Sequence, residues 1–255
     1  MKTYDCFTFF NELDILDIRL NVLDEVVDYF VLVESKKTHT YKDKPLYYLE
    51  NIQRFKKFKD KIIHIILNDL PSETNAWANE NHQRNAISKA LNDCEDSDII
   101  IVSDLDEIPN PKEIDFIKYY LDDTMIFDFC HRLYFYYINM LVTDSWTGSK
   151  LCTYSKFKTF SPQTLRMNCH GNTYIKDGGW HFSYMGNQKH IIQKLESFAE
   201  TQVNTEEIKS NIESRIEAGL SIFDEKQKFK VVELDSTYPE YILNNLEKFN
   251  HLIKQ

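Results

Sequence analysis

The sequence predicts an α/β protein in which helices flank a mostly parallel central sheet, with a smaller antiparallel or mixed sheet beside it. Strand-like and helix-like segments alternate up to residue 122, which is typical of right-handed βαβ units. After residue 125 this alternation ends, and a long aromatic segment indicates extended strands with antiparallel or mixed pairing. The most informative segment is 98–109, where four apolar residues lead into a group of acids.

The first half of the chain carries four predicted strands, separated by predicted helices. Tyr29–Glu34 is rich in β-branched and aromatic residues, which favours a central strand. Leucines recur at helical spacing between Leu13 and Leu23 and predict a helix with one apolar face. The predicted strands are 4–10, 29–34, 61–66 and 98–103, and the predicted helices are 11–23, 47–59, 76–92 and 111–122.

The second half is predicted to be more irregular. Its predicted strands are 125–137, 150–160 and 172–176, joined by loops that contain most of the glycines, and its predicted helices are 188–200, 205–218 and 239–253. No internal repeat, low-complexity tract or flexible linker interrupts the sequence. We therefore expect one domain, residues 1–255, with a parallel half at 1–110 and a mixed half at 111–255.

The composition excludes several classes of function. Lys and Arg number 30 against 40 Asp and Glu, and a net charge of −10 without a basic stripe argues against nucleic acid as the partner. No segment approaches the roughly 18 apolar residues of a membrane span, and the N-terminus lacks the pattern of a signal peptide. The cysteines are odd in number and form no CxxC pair, which favours reduced thiols and a cytoplasmic location. They are Cys6, Cys94, Cys130, Cys152 and Cys169.

The placement of glycine excludes two kinds of phosphate-binding loop. Five of the six glycines fall between Gly148 and Gly186, and none precedes Gly148. A Walker loop or a GxGxxG dinucleotide loop needs glycines directly after an early strand. A nucleotide in the N-terminal half would therefore be held by side chains and ordinary backbone, with or without a cation.

Three acids follow the apolar run Ile99–Val102, where a buried strand should end. Asp104 and Asp106 are two residues apart, so an extended backbone points them the same way and they can share one cation. With Glu107 they fit a solvated acidic turn equally well. His181 follows two glycines, and an imidazole near the two aspartates would make a site suited to Mn²⁺. A hydrogen-bonded core histidine is the alternative.

Other polar residues are predicted on the ligand side of the sheet. Asn11 and Glu34 end early strands, where ligands bind in open α/β sheets, although helix capping also accounts for Asn11. Arg84 precedes the acidic strand and can reach a diphosphate or pair with the acids, with a surface salt bridge as the alternative. Arg132 lies in an aromatic strand, where an arginine is rarely left unpaired, so it can neutralise the acids or bind an anion.

Several short segments together resemble glycosyltransferase family 17. No single segment is specific, but their joint order and spacing is, and the resemblance covers nearly the whole chain. The segments are Phe10–Asp14, Ile18–Leu20, Phe30–Ser35, Lys44–Leu46, Asp104–Pro109, Gly178–His181, Arg215–Gly219 and Phe223–Asp224.

The resemblance implies a GT-A fold and an inverting, metal-dependent glycosyltransferase that moves N-acetylglucosamine from UDP-GlcNAc to a glycan hydroxyl. Asp104 and Asp106 match the family's DxD-type motif, which in GT-A enzymes holds Mn²⁺ or Mg²⁺ against the donor diphosphate. His181 matches the histidine of the family's GWH segment and is expected to be a further metal ligand. The residues expected to bind the nucleotide sugar are Asn11, Glu34, Arg84, Asp104 and Arg132.

In this interpretation residues 1–110 bind the nucleotide sugar and residues 111–255 bind the acceptor. One carboxylate must accept the proton of the attacking hydroxyl. Glu107, which follows the DxD motif, and Asp177, beside the double glycine, are the leading catalytic candidates, with Asp144 as a third.

The missing membrane anchor makes a soluble bacterial or viral member the expected type. A surface polysaccharide, a lipopolysaccharide-type glycan or a glycoprotein glycan is then the expected acceptor. Two other functions stay open. A nucleotidyltransferase uses a similar sheet and paired acids, but it normally needs an early glycine-rich loop, which this sequence lacks. A non-catalytic glycan-binding module would not need the acids and His181 to converge.

Overall fold

The computed structural model describes residues 1–168 and 173–255, with Asn168 described by its backbone only. Cys169, Gly171 and the first residue of the predicted strand 172–176 lie outside the described residues. The strands are β1 (Thr3–Phe9), β2 (Tyr29–Ser35), β3 (Ile62–Leu67), β4 (Ile99–Asp104), β5 (Glu107–Pro109), β6 (Phe127–Phe135), β7 (Met140–Thr153), β8 (Thr173–Ser183) and β9 (Lys230–Val231). They form one sheet in the order β3-β2-β1-β4-β7-β6-β8-β5, with β9 paired to β7.

One half of the sheet, β3-β2-β1-β4, is entirely parallel and confirms the four strands predicted in the first half of the chain. All four residues of Ile99–Val102 are fully buried, because apolar clusters cover both faces of the sheet. A continuous apolar run is the pattern that such two-sided burial requires. Thr8 lies opposite Asp104 in the β1–β4 register, so the acids emerge beside the carboxyl end of β1.

The sheet as a whole is mixed, which differs from the mostly parallel sheet and separate smaller sheet predicted. β7 runs antiparallel to β4 and β6, β8 runs parallel to β6, and β5 runs antiparallel to β8. The physical reason is the short connection 136–139, which allows a hairpin between β6 and β7 but no parallel crossover. Because β4 pairs with β7, the strands of residues 1–110 and those of residues 111–255 belong to one continuous sheet.

Helices cover both faces of this sheet. The α-helices are α1 (Leu13–Leu23), α2 (Tyr47–Glu50), α3 (Ala76–Asn85), α4 (Pro111–Ile117), α5 (Tyr154–Phe157), α6 (Pro162–Asn168), α7 (Gln188–Ser197), α8 (Glu206–Ala218) and α9 (Glu240–Leu243). Short 3₁₀ helices occupy Ile52–Phe58, Ala86–Ala90, Thr201–Val203 and Asn250–Leu252. In the described residues no helix has the length and apolar character to cross a membrane.

Several predicted elements differ in extent from the observed ones. The predicted strand 150–160 ends at Thr153, whose side chain accepts a hydrogen bond from the Lys156 amide and caps α5. The predicted helices 47–59 and 76–92 each change into a 3₁₀ helix partway along, and turns occupy 244–249 of the predicted helix 239–253. Gly148, Gly178 and Gly179, expected in loops, lie in β7 and β8.

Candidate active site

A cavity of about 570 Å³ opens at the carboxyl ends of β1 and β4. Its walls come from these strand ends, from α3, α6 and α7, and from β6, β7 and β8. Ligands bind at this edge in open α/β sheets, and the volume is that of a small-molecule site. The charged side chains grouped around the acidic segment are Glu12, Glu80, Arg84, Asp104, Asp106, Glu107, Arg166, His181 and Lys194.

Arg19, on α1, holds the acidic segment in place from the core. The side chain is fully buried and donates to both carboxylate oxygens of Asp5, at 2.6 and 2.8 Å, and to the hydroxyl of Ser103. It also donates to three backbone carbonyls within Asp104–Glu107, at 2.8–2.9 Å. One buried guanidinium therefore sets the path of the turn that presents the acids.

Asp104 is paired with two arginines. Arg84, on α3, donates to Oδ1 at 2.8 Å, and Arg166, on α6, donates to Oδ2 at 3.2 Å. Burial would raise the pKa of Asp104, but the two guanidinium groups outweigh burial and hold that pKa well below its usual range. Asp104 is therefore an ionised carboxylate with both oxygens in use.

Asp106 is held by two groups from the second half of the chain. Lys194 Nζ, on α7, donates to Oδ2 at 3.0 Å, and His181 Nε2 lies 3.4 Å from Oδ1. Burial would raise the pKa of Asp106, but Lys194 and His181 outweigh it and hold that pKa well below its usual range. Burial would lower the pKa of Lys194, but Asp106 outweighs it and raises that pKa, so the lysine is charged at neutral pH.

Glu107 is buried at the start of β5 and has three hydrogen-bond partners. Trp146 Nε1 donates to Oε1 at 3.0 Å, Arg166 also donates to Oε1, and the backbone amide of Asp104 donates to Oε2 at 3.1 Å. A Cβ on Gly148 would lie 2.4 Å from Oε1, so the carboxylate packs directly against the backbone of β7. These contacts fix its orientation at the wall of the cavity.

The pairing of β5 with β8 brings His181 to the acids. Glu107 lies opposite His181 in this antiparallel register. The close approach requires a glycine, because a Cβ on Gly179 (φ 143°) would lie 2.1 Å from the carbonyl oxygen of Ile108. The His181 ring packs against Trp146 with 5.1 Å between ring centroids.

Five residues predicted from the sequence come together in this cavity. They are Arg84, Asp104, Asp106, Glu107 and His181. The predicted pairing of Arg84 with the acidic cluster is present.

Four predicted site residues are absent from the described cavity lining, and the roles assigned to them stay predictions. Asn11 donates to Gln193, and fully buried Glu34 accepts from the amide of Tyr48 and contacts His64. Arg132 donates to Asp177 at 3.1 Å rather than to the acidic cluster, and the Asp177 side chain is 73% exposed.

Reasoning from the sequence did not single out Lys194, Arg166 or Trp146, which contact the acids directly. Lys194 carried a usable signal, because it lies on the same helix face as the buried Ile191 and Leu195, where a lysine is unusual. Arg166 and Trp146 carried none, because the helix and strand that place them contact the acids only through the tertiary fold.

We expect acid to destabilise the protein through the two aspartates. Their pKa values are lower in the folded than in the unfolded chain, so their contribution to stability is complete above the unfolded aspartate pKa of about 4 and is lost as the pH falls below it. Urea unfolding in metal-free buffer from neutral pH downwards measures this loss. Asp106→Asn removes one of the groups, so its unfolding free energy should fall less steeply below about pH 4.

Asp115→Asn is the matched control for this pH dependence. Asp115 lies on α4, has a 59% exposed side chain and pairs only with Lys118 among the described residues. In this variant the unfolding free energy should fall with pH as steeply as in the wild type. If the unfolding free energy of Asp106→Asn fell with pH as steeply as that of the wild type, the expected role of Asp106 would be contradicted.

Comparison with known proteins finds one family. The family model described as Glycosyltransferase family 17 matches residues 1–254. The chain is 29% identical over 118 residues to the Beta-1,4-mannosyl-glycoprotein 4-beta-N-acetylglucosaminyltransferase of Homo sapiens and to that of Rattus norvegicus, and 28% identical to that of Mus musculus. Each match covers 43% of this chain and 22% of the relative, so the matched region spans about a fifth of these relatives' length.

Proposed function

The chain belongs to glycosyltransferase family 17, and on that basis we propose that it transfers N-acetylglucosamine from UDP-GlcNAc to a hydroxyl group of a glycan, with inversion at the anomeric carbon. The observation that carries this proposal is the acidic segment Asp104–Glu107, which lines the cavity at the edge of the sheet where ligands bind. The relatives named as N-acetylglucosaminyltransferases support the choice of donor sugar. A GT-A arrangement belongs to the same proposal, supported by the four-stranded parallel part of the sheet, whose strand β4 ends at the acids.

The cationic side chains of the cavity suit the diphosphate of a nucleotide sugar. Guanidinium groups match phosphate oxygens with paired N–H donors, and Arg84 and Arg166 both line the cavity. The Nε atom of each arginine is buried and has no hydrogen-bond partner within the described residues. We assign the diphosphate to these two arginines and Lys194.

In this proposal Asp106 Oδ1 and His181 Nε2 would be the donor atoms for a divalent cation. They lie 3.4 Å apart, close to the separation of about 3 Å between neighbouring ligands of an ion with ~2.1 Å bonds. Carboxylate oxygen and imidazole nitrogen both suit Mn²⁺, and Lys194 occupies the other oxygen of Asp106. A bound cation would neutralise charge on the leaving diphosphate. Each oxygen of Asp104 already accepts from an arginine, so a cation held by Asp104 would share these oxygens with the two guanidinium groups.

Glu107 is the base in this proposal. It lines the cavity, whereas Asp177 is exposed and absent from the described lining. The acceptor oxygen bonds to the anomeric carbon, and the bond from that carbon to the diphosphate oxygen breaks, with its electron pair leaving on UDP. The hydroxyl proton moves to the Glu107 carboxylate. Trp146 and Arg166 hold that carboxylate in a fixed orientation.

Gly148→Ala should lower kcat about 10- to 100-fold. The new methyl group would lie 2.4 Å from Oε1 of Glu107, so the carboxylate must turn away and break its bond to Trp146. Steady-state rates of sugar transfer measure the effect.

Gly219→Ala is the matched control for this substitution. Gly219 ends α8 with a φ of 66°, and the nearest atom to a new Cβ is 3.5 Å away. This variant should lose about 1–2 kcal/mol of stability and keep the wild-type kcat. A wild-type kcat in Gly148→Ala would contradict the assigned role of Glu107.

A donor screen tests the proposed function. The purified chain is incubated with a panel of glycans and with UDP-GlcNAc or another nucleotide sugar, in the presence of either Mn²⁺ or EDTA. The masses of the products are then measured by mass spectrometry. We expect the glycan to gain one N-acetylhexosamine, and only when UDP-GlcNAc and Mn²⁺ are both present. Glycan binding without turnover of any donor would overturn the proposal in favour of a binding module. Transfer of a nucleotidyl group would overturn it in favour of a nucleotidyltransferase.

A further inference from the structure

Trp146 is a large apolar side chain that stays 39% exposed within the cavity wall. It lies in β7, in the part of that strand whose residues 144–147 are all exposed. An exposed aromatic surface inside a concave site usually marks the place of a ligand. The reaction assigned above uses only the indole N–H of this residue, so the open part of the ring has no role yet.

The indole ring is held in one orientation before any ligand binds. Its Nε1 donates to Glu107 at 3.0 Å, and the ring packs at 51° against the imidazole of His181. A rigid aromatic side chain offers contact area without losing much conformational entropy on binding. Trp146 therefore has the properties of a preformed platform for a flat or amphipathic ligand.

The position of the platform selects the chemistry of that ligand. A group stacked on Trp146 lies next to the Glu107 carboxylate, which accepts hydrogen bonds from hydroxyl groups. A pyranose ring matches this pair of features, because it has an apolar C–H face for the indole and hydroxyl groups at its edge. We propose that Trp146 is the platform on which the acceptor sugar stacks, with the reacting hydroxyl directed to Glu107. This inference rests on the proposed function.

The cavity has exposed aromatic side chains on both the parallel and the mixed parts of the fold. A second exposed tryptophan, Trp77, also lines it, but Trp77 comes from α3, which packs against β1 and β2 and carries Arg84. Trp146 comes from the mixed part of the sheet, and its strand pairs with β4 and β6. The two tryptophans therefore belong to the parallel and mixed parts of the fold.

Labelling with 5-fluorotryptophan tests the platform directly. The chain has three tryptophans, so the ¹⁹F spectrum should show three signals that Trp→Phe variants assign. Trp180 is buried, donates to the carbonyl of Thr237 and serves as the internal reference. Titration with methyl β-mannoside, methyl β-glucoside and methyl β-galactoside, up to tens of millimolar, should shift the Trp146 signal and leave the Trp180 signal unchanged. No shift at Trp146 with any of them would overturn the inference.

Steady-state kinetics separate stacking from the hydrogen bond to Glu107. Trp146→Leu removes the ring and should raise the KM for the acceptor about 10- to 100-fold while leaving the KM for UDP-GlcNAc unchanged. Trp146→Phe keeps an aromatic ring but loses the N–H, so it should lower kcat with a smaller change in acceptor KM. Phe116→Leu changes an exposed aromatic residue that is absent from the described cavity lining, and it should match the wild type in both constants.

The outcomes distinguish this inference from the proposed function. Active transfer with an unchanged acceptor KM in Trp146→Leu would overturn the inference and leave the function standing. A wild-type chain that turns over no nucleotide sugar would overturn the function. The sugar-dependent shift of the Trp146 signal is measured without turnover, so it still decides whether the platform binds sugar.

Discussion

Asp106→Asn should lower the rate of sugar transfer by about 10²- to 10³-fold. Asparagine keeps the shape of the side chain and can still accept from Lys194, but it removes the negative charge that faces His181 and the proposed cation. The fold should persist because Glu12 lies 3.5 Å from Lys194 Nζ and keeps a counter-charge beside it. Initial rates over a range of Mn²⁺ concentrations measure the loss, and circular dichroism monitors the fold.

Asp115→Asn, the exposed control on α4, should transfer sugar at the wild-type rate. The Asp106 variant should also bind Mn²⁺ more weakly in the presence of UDP, which electron paramagnetic resonance of the free ion detects without turnover. Full activity of Asp106→Asn with Mn²⁺ and UDP-GlcNAc would remove Asp106 from the proposed metal site.

Arg19→Met should lower the free energy of unfolding by about 3–5 kcal/mol. The substitution leaves Asp5 as a buried carboxylate without its counter-charge, and it removes the donor for three carbonyls of the turn Asp104–Glu107. The loss of an ion pair buried on both sides is costly because neither water nor another cation can reach the remaining charge. Urea unfolding with linear extrapolation measures the change.

Arg54→Met is the control for the buried pair. Arg54 is 32% exposed and pairs with Asp14, which is 35% exposed, and with buried Asp17, which keeps Lys248 as a counter-charge. Its removal should therefore cost at most about 1 kcal/mol. Adding Asp5→Asn to Arg19→Met should recover part of the lost stability, because no buried charge is then left unpaired. If Arg19→Met cost no more than Arg54→Met, the buried guanidinium would not stabilise the turn.

The parallel half of the fold followed from local sequence patterns. The run Ile99–Val102 has no polar residue for a solvent-exposed face, so it fits a strand that is buried on both faces. Such a strand ends where charged residues begin. For this reason the acids could be assigned to the carboxyl edge of the sheet. The mixed half was harder to predict, because β7 alternates only weakly and carries an exposed, mostly polar segment at 144–147.

The rule that ligands bind at the carboxyl ends of strands was less informative about individual residues. It selected Asn11 and Glu34 as well as the acids, but a strand end specifies an edge of the sheet and not the direction of a side chain. Glu34 turns into the core, where a backbone amide and His64 bind it. Arg132 and Asp177 lie on the adjacent strands β6 and β8 and form an ion pair with each other.

The sequence by itself determined the class of fold, the edge of the sheet that carries the acids and the family. Arg84 and His181 were also expected beside those acids, but only the tertiary structure decided which other groups surround them. Arg166, Lys194 and Trp146 lie about 40 to 90 positions along the chain from them, and the register of β5 on β8 selects His181. Burial and strand pattern are local properties of a sequence, whereas the partner of a buried charge is selected by packing between distant segments.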